Sequence, residues 1–350
     1  MRVMLILICV CLTACVHHEP GVTQLSYASP YSPGHPFSRA DITWMQWVEQ
    51  QSGGTLRVKA FWGGTLLSSE HAMIELRHGV ADIGLITPIY ARGGTHLIRA
   101  QAGFYGDMDT FEQQTALYRC MAAAHPQFGR ELHGLVTLAV QGGNLPGIVT
   151  RERAVRSLED LRGLRLRAPS ELLPVLEHFG ADPVDMPMGE VYSALAKGVL
   201  DGVLAPADTL RSLHFAEVAS YFNTIKIPRG AYAARAMGSK RWSSLSAEHR
   251  ALLERSTAVW EAALARELKA AEEAGLAAGR EKGIEFHDIS PEDQAVFDRV
   301  YAQDGETRAR QLERFGIDGL AVFRDARIFA QQLNNPNRST CTREQHEPTA

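Results

Sequence analysis

Ser157 to Gly202 reads SLEDLRGLRLRAPSELLPVLEHFGADPVDMPMGEVYSALAKGVLDG, and this stretch restricts the fold more than any other. Its alternation and turn residues predict a strand, a helix, a turn, a second helix and the start of another strand. Leu164 and Leu166 fall on one side of the first strand, Arg165 and Arg167 on the other. A strand that leads through a helix to another strand belongs in a largely parallel sheet covered by helices. Open sheets of that kind bind ligands outside the carboxyl ends of their strands, which is where Arg167 falls. A guanidinium there is permanently charged and presents a planar fork of donors that fits a carboxylate. The Pro169–Ser170 step that follows could open a helix and add backbone donors.

The rest of the chain repeats the alternation. Strands are expected at Val22–Tyr27, Thr55–Phe61, Ala81–Thr87 and Leu135–Val140, with helices at Phe37–Gln51, after Ser68 or Ser69, and at Asp109–Ala124. Gly142-Gly143 and Leu145-Pro146-Gly147 break the pattern and mark a crossing into a second domain. Beyond the Ser157–Gly202 block, a helix is expected over Asp208–Ala219 and strands over Tyr221–Pro228 and Ala231–Met237, the last returning to the first domain. Ser246 then caps a long helix with Leu253, Thr257, Trp260, Leu264 and Leu268 at helical spacing, long enough to run along both domains. Further helices are expected at Pro291–Phe315 and Leu320–Leu333. The resulting division is 22–144 plus about 230–265 for domain I, 145–229 plus about 266–333 for domain II, and a polar tail at 334–350.

Residues 1–14 carry one positive charge and a short apolar run, the pattern of an export signal. Leu12-Thr13-Ala14-Cys15 resembles a lipoprotein processing site, so Cys15 is the expected lipidation point, residues 15–21 a linker, and the protein periplasmic and held to a membrane by acyl chains. Of five cysteines, Cys120 and Cys341 lie outside this leader region; whether they pair is not decided by sequence.

The net charge of -4, without a basic stripe, gives no footprint for nucleic acid. None of the thirteen histidines stands at ligand spacing, so no metal is expected. Neither a P-loop, a GxGxxG nor a GxSxG elbow occurs, which leaves no cofactor and no catalytic nucleophile. The expected site is therefore a binding site: Arg167 with Tyr31, Phe61, Trp62 and Tyr90 in strand-end loops as apolar walls.

Four motifs in order, HPFSRADITWMQWVEQQSGGTLRVKAFWGGTL, MIELRHGVADIGLI, SLEDLRGLRLRAP and FGADPVDMPMGEVYSALAKGVLDGVLAP, resemble the solute-binding proteins of TRAP-type (tripartite ATP-independent periplasmic) transporters. The likeness runs from about Ser26 to Met237. It implies a two-domain α/β periplasmic solute-binding fold with a ligand cleft between the domains and a helix spanning both. It also implies capture of a small organic acid, delivery to membrane permease subunits, no enzymatic activity, and a carboxylate contact at Arg167. Many relatives carry a second arginine where this chain has Leu145-Pro146-Gly147, and an asparagine where it has Leu204-Ala205-Pro206. Those departures favour a monocarboxylate with an apolar body over a short dicarboxylate, with Pro146, Ala205 and Pro206 lining the space. A same-fold receptor serving a membrane sensor is the alternative, and an exported α/β enzyme a remote one.

Overall fold

The computed structural model describes residues 21–91, 93–335 and Cys341; the expected signal segment and Cys15 lie outside the described residues, as does most of the tail. The strands are β1 (Thr23–Ala28), β2 (Leu56–Phe61), β3 (Ile83–Leu85), β4 (Leu135–Gln141), β5 (Gly147–Thr150) and β6 (Arg165–Arg167). They continue with β7 (Asp182–Val184), β8 (Gly202–Ala205), β9 (Tyr221–Asn223), β10 (Tyr232–Gly238) and β11 (Glu285–His287).

Two sheets form, in the orders β2-β1-β3-β10-β4 and β11-β9-β5-β8-β6-β7. In the first, β1 pairs in parallel with β2 and β3, and β10 runs antiparallel between β3 and β4. In the second, β6 is parallel to β7 and β8, and β5 is antiparallel to both β8 and β9. The antiparallel strands flank the crossings between sheets, so the sheets are mixed rather than uniformly parallel. Apolar residues are buried on both faces of each sheet, as expected for strands sandwiched by helices.

The helix Ala247–Glu281 joins the two halves. Ser246 caps it, its hydroxyl accepting from the His249 N–H at 3.1 Å. Its first half packs with the helix Pro36–Gln51 through Trp260, Leu264 and Leu268. Trp44 reinforces that contact by donating to the Ser256 hydroxyl at 2.8 Å. Further along, a Cβ on Gly275 would stand 2.1 Å from the Ala207 carbonyl oxygen, so only glycine lets the helix lie against the loop after β8.

Two sequence expectations change, and one point that sequence left open is settled. Asp208–Ala219 is not one helix: Thr209–Ser212 ends at His214, whose φ of 60° breaks the turn before a short 3-10 segment at Phe215–Glu217. The last helices divide differently as well. Ala309, Leu312, Val322, Phe323, Ala326 and Phe329 pack into the core beside the first sheet, whereas Phe297 and Tyr301 pack with the second. The range 266–333 therefore contains a helix, Pro291–Gln311, whose residues pack into both cores. Finally, Cys120 and Cys341 form a disulfide, which ties the C-terminal segment to the helix Phe111–Ala124 beside the first sheet.

Candidate ligand-binding cleft

Arg167 ends β6 and is only 2 % exposed, while Arg165, at the start of the same strand, faces solvent and pairs with Asp182 at 3.5 Å. Two spaced positions on one strand thus have opposite roles, because β6 is short and only its carboxyl end reaches the cleft. Arg167 donates from Nε to the Met186 carbonyl at 2.9 Å and from Nη2 to the Tyr90 hydroxyl at 2.8 Å. Tyr90 belongs to the turn Pro88–Tyr90 after β3, so this contact joins the two sheets' halves. Among the described residues Nη1 has no hydrogen-bond partner, which leaves donors of the fork for a further anion.

These groups line a cavity of about 100 Å³ between the sheets. Of the residues singled out from sequence, Arg167, Tyr31, Tyr90, Pro146 and Pro206 line it. Phe61, Trp62 and Ala205 do not. β2 is the edge strand of its sheet, so the loop after it is displaced from β6, and Trp62 instead packs edge-on to Tyr27 at 5.8 Å. Ala205 follows from strand alternation: Leu204 and Pro206 line the cavity, while Ala205 turns with Val203 into the core on the opposite face.

The cavity holds groups that sequence reading missed. Arg229 is a second arginine, brought in by the crossing between β9 and β10 rather than by the Leu145-Pro146-Gly147 turn. Its Nη1 lies 3.4 Å from the Asn144 carbonyl, and a Cβ on Gly143 would stand 2.5 Å from its Cζ, so the glycine makes room for the guanidinium. The Ile227 N–H donates to the Pro146 carbonyl at 3.0 Å, holding the two crossings side by side. His35 stacks on Tyr31 with ring centroids 4.0 Å apart and caps its helix, Nδ1 accepting from the Phe37 N–H. Burial, aided by Arg39, Arg235 and Arg229, pushes the imidazole down to about 3, so His35 is neutral there.

Two carboxyls complete the lining. Asp208 accepts from the Ser212 hydroxyl at 3.2 Å and from the Asn144 amide at 3.4 Å; burial raises its pKa, opposed by Arg229. Its backbone N–H donates to Glu272 Oε2 at 3.3 Å, and burial with the Asp208 charge pushes Glu272 up to about 7. Glu171 is 7 % exposed, and burial raises its pKa also, opposed by Arg308 and Arg167. Asp208 follows the VDG-like motif and Glu171 follows RAPS, but neither stands at a spacing that separates it from a helix-surface acid.

The cavity is an anion-compatible pocket with apolar walls, and among the described residues no cluster could hold a metal. The family profile described as bacterial extracellular solute-binding protein, family 7 (DctP), matches residues 27–309. The chain belongs to this family. It is a TRAP-type periplasmic solute-binding protein and not an enzyme. Among curated relatives, it is 25% identical over 291 residues to the uncharacterized protein YiiZ of Salmonella typhimurium, covering 78% of this chain and 83% of that one. A TRAP solute-binding protein from Rhodoferax ferrireducens, solved with copurified benzoate, superposes with a TM-score of 0.82 at 21% identity, covering 89% of this chain and 99% of the other. A Bordetella bronchiseptica TRAP periplasmic solute-binding protein, solved with (R)- and (S)-mandelate, gives 0.77 at 19% identity over 89% and 99%. Across this family fold, both sheets and the domain-spanning helix are shared architecture.

Proposed function

We propose that this protein captures a small monocarboxylate with an apolar body and delivers it to the membrane subunits of a TRAP permease. The observation that carries this reading is the Arg167 guanidinium, buried at a strand's carboxyl end with N–H donors left unused and facing a cavity walled by Phe37, Ile89, Leu172, Met188 and Leu204. Arg229 adds positive charge, but Asp208 stands beside it and offsets that charge internally. With burial disfavouring the ionised form of Glu171, Arg167 is the one cationic centre left unbalanced, and with apolar walls it suits a single carboxylate better than two. The benzoate and mandelate held by the two structural neighbours are acids of this kind.

Because Arg167 and Tyr90 come from opposite sides of the cleft, a ligand bound at Arg167 would favour the closed arrangement through its differential affinity for it. The leader pattern ending at Cys15 supports attachment to a membrane by lipid, which would keep the receptor near its permease. The reading is tested by a thermal-shift screen of aromatic and aliphatic monocarboxylates and short dicarboxylates, followed by calorimetry. Stabilisation confined to monocarboxylates with apolar bodies is the expected outcome. Preference for C4 dicarboxylates, or for neutral sugars, would refute it.

A further inference from the structure

Glu171 carries the one buried side-chain oxygen without a hydrogen-bond partner among the described residues lining the cavity. It sits in the 3-10 turn Ser170–Leu172, four residues past Arg167, and lines the same space. Its side chain is buried, yet Oε2 is a buried atom with no hydrogen-bond partner. The nearby cations do not supply one. Arg308 is engaged elsewhere, donating from Nε to Asp304 at 2.5 Å and from Nη2 to the Ser170 carbonyl at 3.2 Å. Arg167 bonds Met186 and Tyr90, and its unused Nη1 makes no bond to Glu171.

Buried polar oxygens in folded proteins are almost always paired, because leaving one desolvated and unpaired is costly. An apolar residue would fill the turn without that cost. A carboxyl retained here therefore points to a partner supplied by whatever occupies the cavity. Burial raises the Glu171 pKa, and in either protonation state a carboxyl oxygen accepts a hydrogen bond.

We infer that Glu171 is a second recognition group, accepting a hydrogen bond from a hydroxyl that the ligand carries within a few bonds of the carboxylate held by Arg167. The preferred ligand class is then the hydroxy-substituted monocarboxylic acids. This inference rests on the organic-acid reading above and narrows it. A site built to pair a ligand hydroxyl rejects the analogue that lacks it, because the acceptor is then buried alone. A purely apolar pocket shows no such bias.

The test uses pairs of acids that differ by one hydroxyl, mandelate against phenylacetate and 3-hydroxybenzoate against benzoate, titrated by calorimetry into the full-length protein. For at least one pair the hydroxy acid should bind roughly tenfold or more tightly. In Glu171→Leu that ratio should collapse to within about twofold. Glu171→Gln, whose amide oxygen still accepts, should keep most of the preference. Equal affinities within every pair, a preference for the unsubstituted acids, or a preference that survives in Glu171→Leu would overturn the role of Glu171 while leaving the organic-acid reading intact. If no acid of either kind binds, both the inference and the reading beneath it fall.

Discussion

Arg167 and Tyr90 meet across the cleft: the guanidinium Nη2 donates to the phenol oxygen at 2.8 Å, and its Cζ lies 5.9 Å from the ring centroid. One residue ends a strand of the second sheet and the other follows a strand of the first. The contact orients the fork and, on the proposed reading, would link ligand capture to the approach of the two halves. In Tyr90→Phe the ring remains but the acceptor is lost. Ligand affinity is expected to fall about fivefold, the worth of one modest hydrogen bond, as read by calorimetry. An unchanged or tighter dissociation constant would remove Tyr90 from the account.

Arg229 supplies the second positive charge, and Asp208 is the group it faces. Arg229→Met keeps the apolar stem and removes the charge, so organic-acid affinity should drop roughly tenfold or more. The Asp208 carboxyl would also lose its counter-charge. Affinity in the variant should therefore worsen further as pH rises and Asp208 ionises without compensation. A pH-independent, wild-type affinity would show that Arg229 serves only the crossing.

Outside the cavity lining, Asp41 and Arg235 form a buried pair. Nε donates to Oδ1 at 2.8 Å and Nη2 to Oδ2 at 3.1 Å, with the Asp41 side chain fully buried. Trp260 and Tyr27 donate to the same carboxylate at 2.6 and 2.5 Å, which ties the helix Pro36–Gln51 to the long helix and to β1 and β10. Asp41→Ala strands a buried guanidinium, and breaking such a pair costs roughly 3–5 kcal/mol. Urea unfolding checks this; a loss below about 1 kcal/mol would mean that the network relaxes around the gap.

Glu272 makes stability depend on pH. Its folded pKa of about 7 lies above the ordinary 4.5, so the folded protein holds a proton that the unfolded chain has released. The stabilising contribution is fully present below 4.5 and is lost as pH rises through about 7. The melting temperature should decline across that window, and Glu272→Gln should flatten the decline. A steeper decline in the variant would contradict the assignment of the proton to Glu272.

Much of this molecule is readable from its sequence, and the exceptions share a physical cause. Strand alternation placed Arg167 at the end of β6, and Ser246 marked the start of the long helix, because both signals are local and periodic. Tyr31 and Tyr90 reach the cavity from loops at strand ends, as loop position alone suggests, and Pro146 and Pro206 line it at the positions where the family resemblance marked departures. Phe61 and Trp62 share that signal, and only the order of strands, with β2 at an edge, separates them from Tyr90. Arg229 and Glu272 depend on which crossing lies against which helix face, and no local pattern encodes that. The packing of Val322 and Phe329 against the first core is likewise a tertiary outcome of helices whose periodicity fits either half.

The central claim is that Arg167 holds the ligand's carboxylate, and calorimetry on Arg167→Ala tests it most directly. The monocarboxylate that best stabilises the wild type should bind the variant about 30-fold to several thousand-fold more weakly, equivalent to the roughly 2–5 kcal/mol of a buried, charge-assisted contact. Its ligand-induced rise in melting temperature should vanish. A folded Arg167→Ala protein that binds the same acid with wild-type affinity would contradict the account.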